Sequence, residues 1–419
     1  FGGCEVLRGT LFTGFPWLLA SCAFAFWPAW IQAASLVGAY ALSALYAAPA
    51  CLFGAALAPP GGSGKKRLAA ALLGIFLLFL PPAYGRYRLA GFEDGPAPDA
   101  PDTAPPIKII LIQGNVDQNQ KWEPLFQKST LDLYLDLSRK ALEDEGRLSP
   151  EPVSLVVWPE TAMPFAYPMY REYALELSRF AVAENINLAF GALGVEHEFG
   201  RRERLYNRLF LLSPQGRRAG DYDKRHLVPF GEYTPFAANI PYLSDILQGM
   251  DFSAGTTARL LPLSPPAAKA PVAGETRESS AHTPALSLGP LICYEAIFPG
   301  LAQAQVEAGA DILLNVSNDG WFRKSSAPYQ HLSHAVLRAV EQARPLARAT
   351  NTGISAVIDA SGRITERLEG LFVTGTLTAR VRASSGLTPY HRLYPLPEIL
   401  LVITVFCALL GPVLLRNKD

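Results

Sequence analysis

This sequence is short of charge. Only 18% of its 419 residues are Asp, Glu, Lys or Arg, and 37 basic residues against 37 acidic ones leave no net charge. A protein that grips nucleic acid needs a basic excess or a basic face, so that class of partner is set aside. No internal repeat of short period is visible, which sets repeat architectures aside as well. Cysteine is also scarce where it could pair. Of five cysteines, Cys4, Cys22, Cys51 and Cys407 lie in apolar flanks, and Cys293 stands alone in the charged middle of the chain. Disulfides are therefore not expected there, and without a C-x-x-C or Cys/His cluster neither is zinc. No metal or other cofactor is expected. The sequence opens on Phe1, and it lacks the basic start and small-residue cleavage site of a signal peptide. It reads as a piece whose true start lies upstream.

The missing charges are unevenly missing. Residues 1–90 and 396–415 hold few acids or bases, whereas 107–382 is an ordinary soluble mixture, so a membrane region carrying one large water-exposed domain is expected. Residues 11–30 are apolar but broken by Gly14, Pro16 and Pro28, which fits a kinked span or a re-entrant piece. Residues 31–58 run for 28 positions without a charge, enough to cross a bilayer, and a second span is expected at about 68–84 and a third at 394–415. If Lys65, Lys66 and Arg67 are cytoplasmic, the domain between the last two spans lies on the outer face of the inner membrane, and Arg416 and Lys418 return to the cytoplasm.

Residues 91–106 form a Pro/Ala/Asp linker that cannot bury a core. The water-exposed domain then runs over 107–390, with strands expected at 108–116, 154–158 and 187–193, helices at 125–145 and 170–184, and a hairpin at 205–222. A Pro/Ala/Ser-rich surface insertion is expected at 264–284. Beyond it come helices at 300–308 and 329–343 and strands at 311–316, 346–350, 354–359 and 373–381. Alternating strands and helices point to an α/β layered fold.

The stretch Leu286–Pro299, LSLGPLICYEAIFP, delivers Cys293 to the end of a buried strand, with Tyr294 and Glu295 directly behind it. A lone cysteine is more often inert packing than a nucleophile. Two other strand ends carry chemistry, however. Val156-Val157-Trp158-Pro159-Glu160 ends in a carboxylate, and the stretch after the hairpin presents Lys224 and Glu232. Active sites gather at such strand ends in α/β sheets.

WPET at 158–161, DKRHLVPFGEYTPF at 223–236 and ICYEAIFP at 292–299 resemble the Glu-Lys-Cys signature of the nitrilase superfamily. RGTLFTGFPWL at Arg8–Leu18, NDGWF at 318–322, ARPLARATNTGISAVI at 343–358 and GLTPY at 386–390 make the chain similar to its membrane-embedded branch, the bacterial apolipoprotein N-acyltransferase family. That resemblance implies a nitrilase-like α-β-β-α sandwich attached to a transmembrane helical bundle. It implies Glu160 as general base, Lys224 as oxyanion partner and Cys293 as the nucleophile that carries an acyl thioester. The implied donor is a phospholipid in the bilayer, and the implied acceptor is the α-amine of S-diacylglyceryl-cysteine on an apolipoprotein. Supporting roles fall to Glu232, Glu295 and Tyr294, and substrate-side roles to Trp17, Trp122 and Trp321.

The same three chemical groups also suit a membrane-tethered amidase or nitrilase acting on a small amide, which would have no need of the spans or the FTGFPWL aromatics. A catalytically silent lipoprotein receptor would have no need of all three groups. His331 and His334, three apart, read as positions on a helix surface for want of a third metal ligand, and His226 as a neighbour of Lys224 with no call on its imidazole. Arg201, Arg202 and Arg204 read as a solvated face.

Overall fold

The computed structural model describes residues 1–57, 63–93, 106–118, 121–149, 153–197, 203–235, 251–265 and 286–416. The expected linker and the expected insertion fall almost wholly outside them, as do Arg201, Arg202 and Lys418.

The middle of the chain is built on strands that read as unbroken apolar runs. In β1 (Ile107–Gln113) every residue from Lys108 onward is buried. Such a strand needs cover on both faces, and the alternation of its side chains shows what supplies it. Ile110 and Ile112 pack with Leu131, Tyr134 and Leu135 of helix α5 (Gln127–Leu148) and Leu177 and Phe180 of helix α6 (Arg171–Glu184). Ile109 and Leu111 face the other way, onto residues of a second sheet such as Ile292, Ile312 and Leu314. In β9 (Ile312–Ser317) the period repeats in mirror image: Ile312, Leu314 and Val316 join the inter-sheet core. Leu313 packs outward on helices α7 (Pro299–Glu307) and α8 (Ala327–Gln342). The result is four layers in the order helix, sheet, sheet, helix, so truncating an inter-sheet residue such as Leu111 to Ala costs about 2–5 kcal/mol.

The first sheet runs β13 (Gly375–Val381), β1, β2 (Val153–Val157), β4 (Asn187–Glu196), β5 (Arg204–Leu212) and β6 (Arg218–Asp223), with β3 (Met163–Ala166) paired to β4. The second runs β12 (Ile364–Arg367), β11 (Ala356–Ile358), β10 (Leu346–Thr350), β9, β8 (Ser287–Ile292) and β7 (Leu261–Pro262). β1, β2 and β4 are parallel, as are β8, β9 and β10. The parallel strands of each sheet therefore end together, and those ends are brought face to face.

The apolar flanks form helices that leave their hydrophobic sides bare. Two of them, α3 (Ala34–Leu57) and α4 (Gly64–Glu93), are long and apolar enough to cross a membrane by length and composition, α4 over Gly64–Gly91. A shorter apolar stretch, Leu396–Leu410, lies in α10 (Leu396–Arg416). Leu68, Leu72, Phe76 and Phe79 on α4 and Ile399, Ile403 and Phe406 on α10 are all exposed. Helix α1 (Gly2–Thr10) lies close on α10: a Cβ at Gly3 would come within 2.3 Å of the Leu401 carbonyl oxygen. α3 is broken at Gly38, whose φ of +79° suits glycine and whose missing side chain makes room for the Tyr390 ring in α9 (Pro389–Leu393).

Residues 11–31 do not run as one helix. They fold into 3-10 turns at Leu11–Thr13 and Ala20–Phe24 and a single turn, α2 (Pro28–Ile31). This segment, with α3, lies against α8, where Leu19, Ala25, Ala34 and Leu42 share a core with Leu332, Ala335, Val336 and Ala339. That cover corrects the helix-surface reading of His331 and His334, both of which are fully buried. With the second sheet on one side and the N-terminal segment on the other, α8 has no free face there for them to occupy.

Candidate active site

Glu160, Lys224 and Cys293 each sit just past a strand end, and local chemistry explains why the strand stops there. β2 ends at Val157; Trp158 still donates to the Ala189 carbonyl at 2.8 Å, but Pro159 has no N–H to continue the ladder, and Glu160 turns inward. Lys224 follows β6, its backbone N–H held by the Asn207 carbonyl at 2.9 Å, and its side chain is 1% exposed. Cys293 follows β8 at a φ of +50°, a left-handed conformation that costs a non-glycine residue about 1–3 kcal/mol.

The first sheet contributes a cluster of charges that satisfy one another. Lys224 Nζ lies 3.2 Å from Glu160 Oε1 and 2.8 Å from Glu232 Oε1. Asn207 Nδ2 donates to the same two oxygens at 2.7 and 3.0 Å. The outer oxygens are tied to backbone: Asn318 N–H donates to Glu160 Oε2 at 2.9 Å, and Val228 N–H to Glu232 Oε2 at 2.8 Å. Burial works to raise the Glu160 pKa, but Lys224, Asn207 and Lys121 outweigh it and hold the carboxyl below its usual range. Burial would equally discharge Lys224, yet Glu160 and Glu232 keep its pKa well above normal. At neutral pH this half of the site holds a carboxylate and an ammonium.

The second sheet contributes a thiol that stays protonated. Burial first, and then the charge of Glu160, push the Cys293 thiol up to about 12, with Lys224 opposing them. The two half-sites are joined through neighbouring residues: Asn318, whose N–H holds Glu160, precedes Asp319, which offers a carboxylate oxygen within 4.8 Å of the Cys293 sulfur. Glu295 fastens them together. Its Oε1 accepts from the N–H groups of Arg225 at 2.7 Å and His226 at 3.2 Å, beside Lys224, while its Oε2 accepts from Ile292 N–H at 2.7 Å, beside Cys293. Tyr222 donates its hydroxyl to this carboxyl at 3.0 Å. Glu232 therefore touches Lys224 directly, whereas Glu295 acts on the backbone next to it.

A cavity of about 230 Å³ opens at Glu160 and Glu232 and is lined also by Gln118, Trp122, Asn207, Asn318 and Trp321. Trp321 is largely exposed at its rim. Trp17 lies elsewhere, buried, with its indole N–H donating to Gln330 Oε1 at 2.8 Å and its ring against His331. Tyr294 donates its hydroxyl to the Gly14 carbonyl at 3.1 Å, tying the residue after Cys293 to the N-terminal segment. His226 packs on Phe298 and Tyr294, and burial lowers its pKa to about 4, so it is neutral and far from a useful base.

Reading the sequence missed several members of this site. Lys121 is buried with its Nζ 3.2 Å from the Glu160 carbonyl, and burial lowers it to about 8; its place beside Trp122 was the only signal. Asn207 lies mid-strand and gives none. Asp319 lay within NDGWF, and it and His331 converge on Cys293. Cys293, Asp319 and His331 offer possible metal-ligand atoms within 4.8 Å of one another. The polar atoms of the last two are already engaged by Ser317, by the Cys293 carbonyl and by Arg348, whose positive charge occupies the place a cation would balance.

A carboxylate, an ammonium and a cysteine meeting at the strand ends of an α-β-β-α sandwich define the class: residues 114–390 match the carbon-nitrogen hydrolase family, and the fold is nitrilase-like. Residues 1–52 match the apolipoprotein N-acyltransferase N-terminal domain. The apolipoprotein N-acyltransferase of Geobacter metallireducens is 39% identical over 93% of this chain and 68% of its own length. Those of Azotobacter vinelandii and Brucella melitensis are 36% and 33% identical, over 99% and 100% of this chain and 71% and 73% of theirs. An amidase from Nesterenkonia sp. AN1 aligns in structure with a TM-score of 0.47 at 19% identity, over 71% of this chain and 97% of that one. The chain belongs to the apolipoprotein N-acyltransferase family and is an enzyme.

Proposed function

We propose that this chain moves an acyl group from a phospholipid, through a thioester on Cys293, to the N-terminal α-amine of an S-diacylglyceryl-cysteine on a lipoprotein. The observation that carries the reading is the meeting of the paired charges Glu160 and Lys224 with a neutral thiol in a strained turn. A partly buried thiol with so high a pKa does not ionise in advance, so the proton must leave as the sulfur attacks. Glu160 takes it, the sulfur adds to the ester carbonyl, and the oxyanion is stabilised by Lys224. Collapse breaks the ester C–O bond, and Glu160 returns the proton to the departing lysophospholipid oxygen. In the second half, the neutral α-amine adds to the thioester carbonyl and gives a proton to Glu160. Collapse expels the Cys293 sulfur, which recovers that proton. Glu232 and Asn207 keep Lys224 and Glu160 in register throughout. Trp122 and Trp321, at the cavity, contact the incoming chains.

The bare helices support a membrane setting. α4 is 30 residues long, about 45 Å at 1.5 Å per residue, ample for a hydrocarbon core of roughly 30 Å. With Lys65, Lys66 and Arg67 at its cytoplasmic end, α3, α4 and α10 form part of a transmembrane bundle and hold residues 107–390 against the outer face of the bacterial inner membrane.

The test is incubation with radiolabelled phosphatidylethanolamine followed by a diacylglyceryl peptide. A label on the protein that hydroxylamine removes, that Cys293→Ala abolishes and that passes to the peptide amine is expected. Free fatty acid without a labelled peptide would mean that water, not the amine, takes the acyl group, and would overturn the transfer reading.

A further inference from the structure

The cysteine half of the site contains a buried polar chain that the proposed chemistry leaves unused. His331 Nε2 lies 3.0 Å from the carbonyl oxygen of Cys293. Its Nδ1 lies 2.9 Å from Asp319 Oδ1 and 3.0 Å from an Arg348 guanidinium nitrogen. A carbonyl only accepts, so Nε2 carries a proton. Nδ1 either donates to Asp319 or accepts from Arg348, and both alternatives keep the Nε2 proton in place. Asp319 is itself fixed, by the Ser317 hydroxyl and by Arg348, each at 2.9 Å. Gly353 makes room for it, since a Cβ there would come within 2.1 Å of Asp319 Oδ2. Asp319, His331 and Arg348 are all fully buried.

The carbonyl at the end of this chain belongs to the residue with the left-handed turn. A strained conformation persists only where its surroundings impose it. In a planar trans peptide the carbonyl and the following N–H point opposite ways, so a bond to the Cys293 carbonyl also sets the direction of the Tyr294 N–H. We infer that His331, oriented by Asp319 and Arg348, is a positioning residue that clamps Cys293 in its turn and so presents the thiol to the acyl donor. The clamp reaches the other half-site too, because Asn318, whose N–H holds Glu160, directly precedes Asp319.

This inference rests on the proposed thioester chemistry, and its test separates the two. Packing alone would be served by any side chain of similar volume, whereas a clamp requires a donor at the Nε2 position. Glutamine reaches that position with an N–H; leucine fills the space without one. The measurement is single-turnover formation of the Cys293 thioester from radiolabelled phosphatidylethanolamine by the full chain in detergent micelles, with melting temperature recorded alongside. His331→Leu is expected to slow thioester formation roughly ten- to a hundred-fold, the range for groups that orient a reacting residue. The half-saturating phospholipid concentration is expected to stay unchanged, and His331→Gln to recover much of the rate. If His331→Leu does not fold, His331→Asn replaces it, being too short to reach the carbonyl. Thioester formation at the unsubstituted rate in the Leu or Asn variant overturns the inference. So does a Gln variant as slow as its partner at equal melting temperature. Absence of any thioester on the unsubstituted protein strikes instead at the proposed function.

Discussion

The two sheets bring opposite kinds of material to the same place. The first ends in charged side chains: Lys224 is paired with both Glu160 and Glu232, and Asn207 donates hydrogen bonds to the same two oxygens. The second ends in an uncharged thiol on a backbone held at a φ of +50°. Charge is costly to bury and inexpensive to hold once paired, so the first half is stable by mutual compensation. A neutral thiol costs little to bury but is unreactive, and the second half is organised around geometry. Neither half acts alone. In the proposed reaction the thiol becomes a nucleophile only when Glu160 of the opposite sheet takes its proton, which places control of reactivity in the contact between the sheets.

Breaking the charged half at its base has the largest effect. Glu160→Gln removes the proton acceptor, and thioester formation is expected to fall by about 10²–10⁴. The same substitution removes a negative charge that raises the Cys293 pKa, so the thiol should become more acidic while the enzyme becomes slower. Iodoacetamide alkylation against pH, followed on the Cys293 peptide by mass spectrometry, measures this: the midpoint moves down in the variant. A midpoint that stays put or rises would show that Glu160 does not face the thiol. The sign has a consequence for stability. The thiol's ordinary value is 9.0 and its folded value about 12, so its contribution is fully present below about 9 and is lost as pH rises through 12.

Lys224 is expected to show two effects that can be pulled apart. Lys224→Met removes the oxyanion partner, at about 10²–10³ in rate. It also leaves the buried Glu160 and the partly buried Glu232 facing one another through Asn207 without their shared cation, at about 3–5 kcal/mol in stability. Adding Glu232→Gln should restore most of the melting temperature and none of the rate. Recovery of rate in the double variant would assign Lys224 a purely structural role.

How far the sequence reveals this depends on which force places each residue. The layers were legible because their strands are apolar runs and their helices have apolar stripes, a local pattern; the expected helix over 170–184 lies within one residue of α6 at Arg171–Glu184. β3 and β12 were not, since one is four residues beside the Glu160 turn and the other, Ile364–Arg367, is an exposed edge strand without alternation. Glu160, Lys224 and Cys293 each stood out at a strand end. Asn207, mid-strand, and Lys121, in a loop, carry no such mark, because what makes them part of the site is a neighbour far away in sequence. His331 shows the same limit more sharply. Its spacing suggested a helix surface, and burial by residues 17–42 turned that surface into an interior that no pattern local to the helix could announce.

Glu295 joins the two halves, and replacing it by Gln sharpens the comparison with a smaller effect. Its two oxygens accept from three backbone N–H groups and from the Tyr222 hydroxyl. An amide has a single acceptor oxygen, so its NH2 must face at least one backbone N–H and leave that donor unpaired, at about 1–3 kcal/mol. Burial pushes Glu295 up to about 7 against the N–H groups that favour its anion. Because the folded value lies above the ordinary 4.5, the protonated form is the one folding favours. That contribution is fully present below about 4.5 and is lost as pH rises through 7. Glu295→Gln cannot titrate, so the gap in melting temperature between the two proteins should be wider at pH 5 than at pH 8. A gap that widens toward pH 8 would mean that the backbone donors prevail over burial. The two sheets would then be fastened by an anion, and the charged character of the first half would extend across the seam to the backbone beside Cys293.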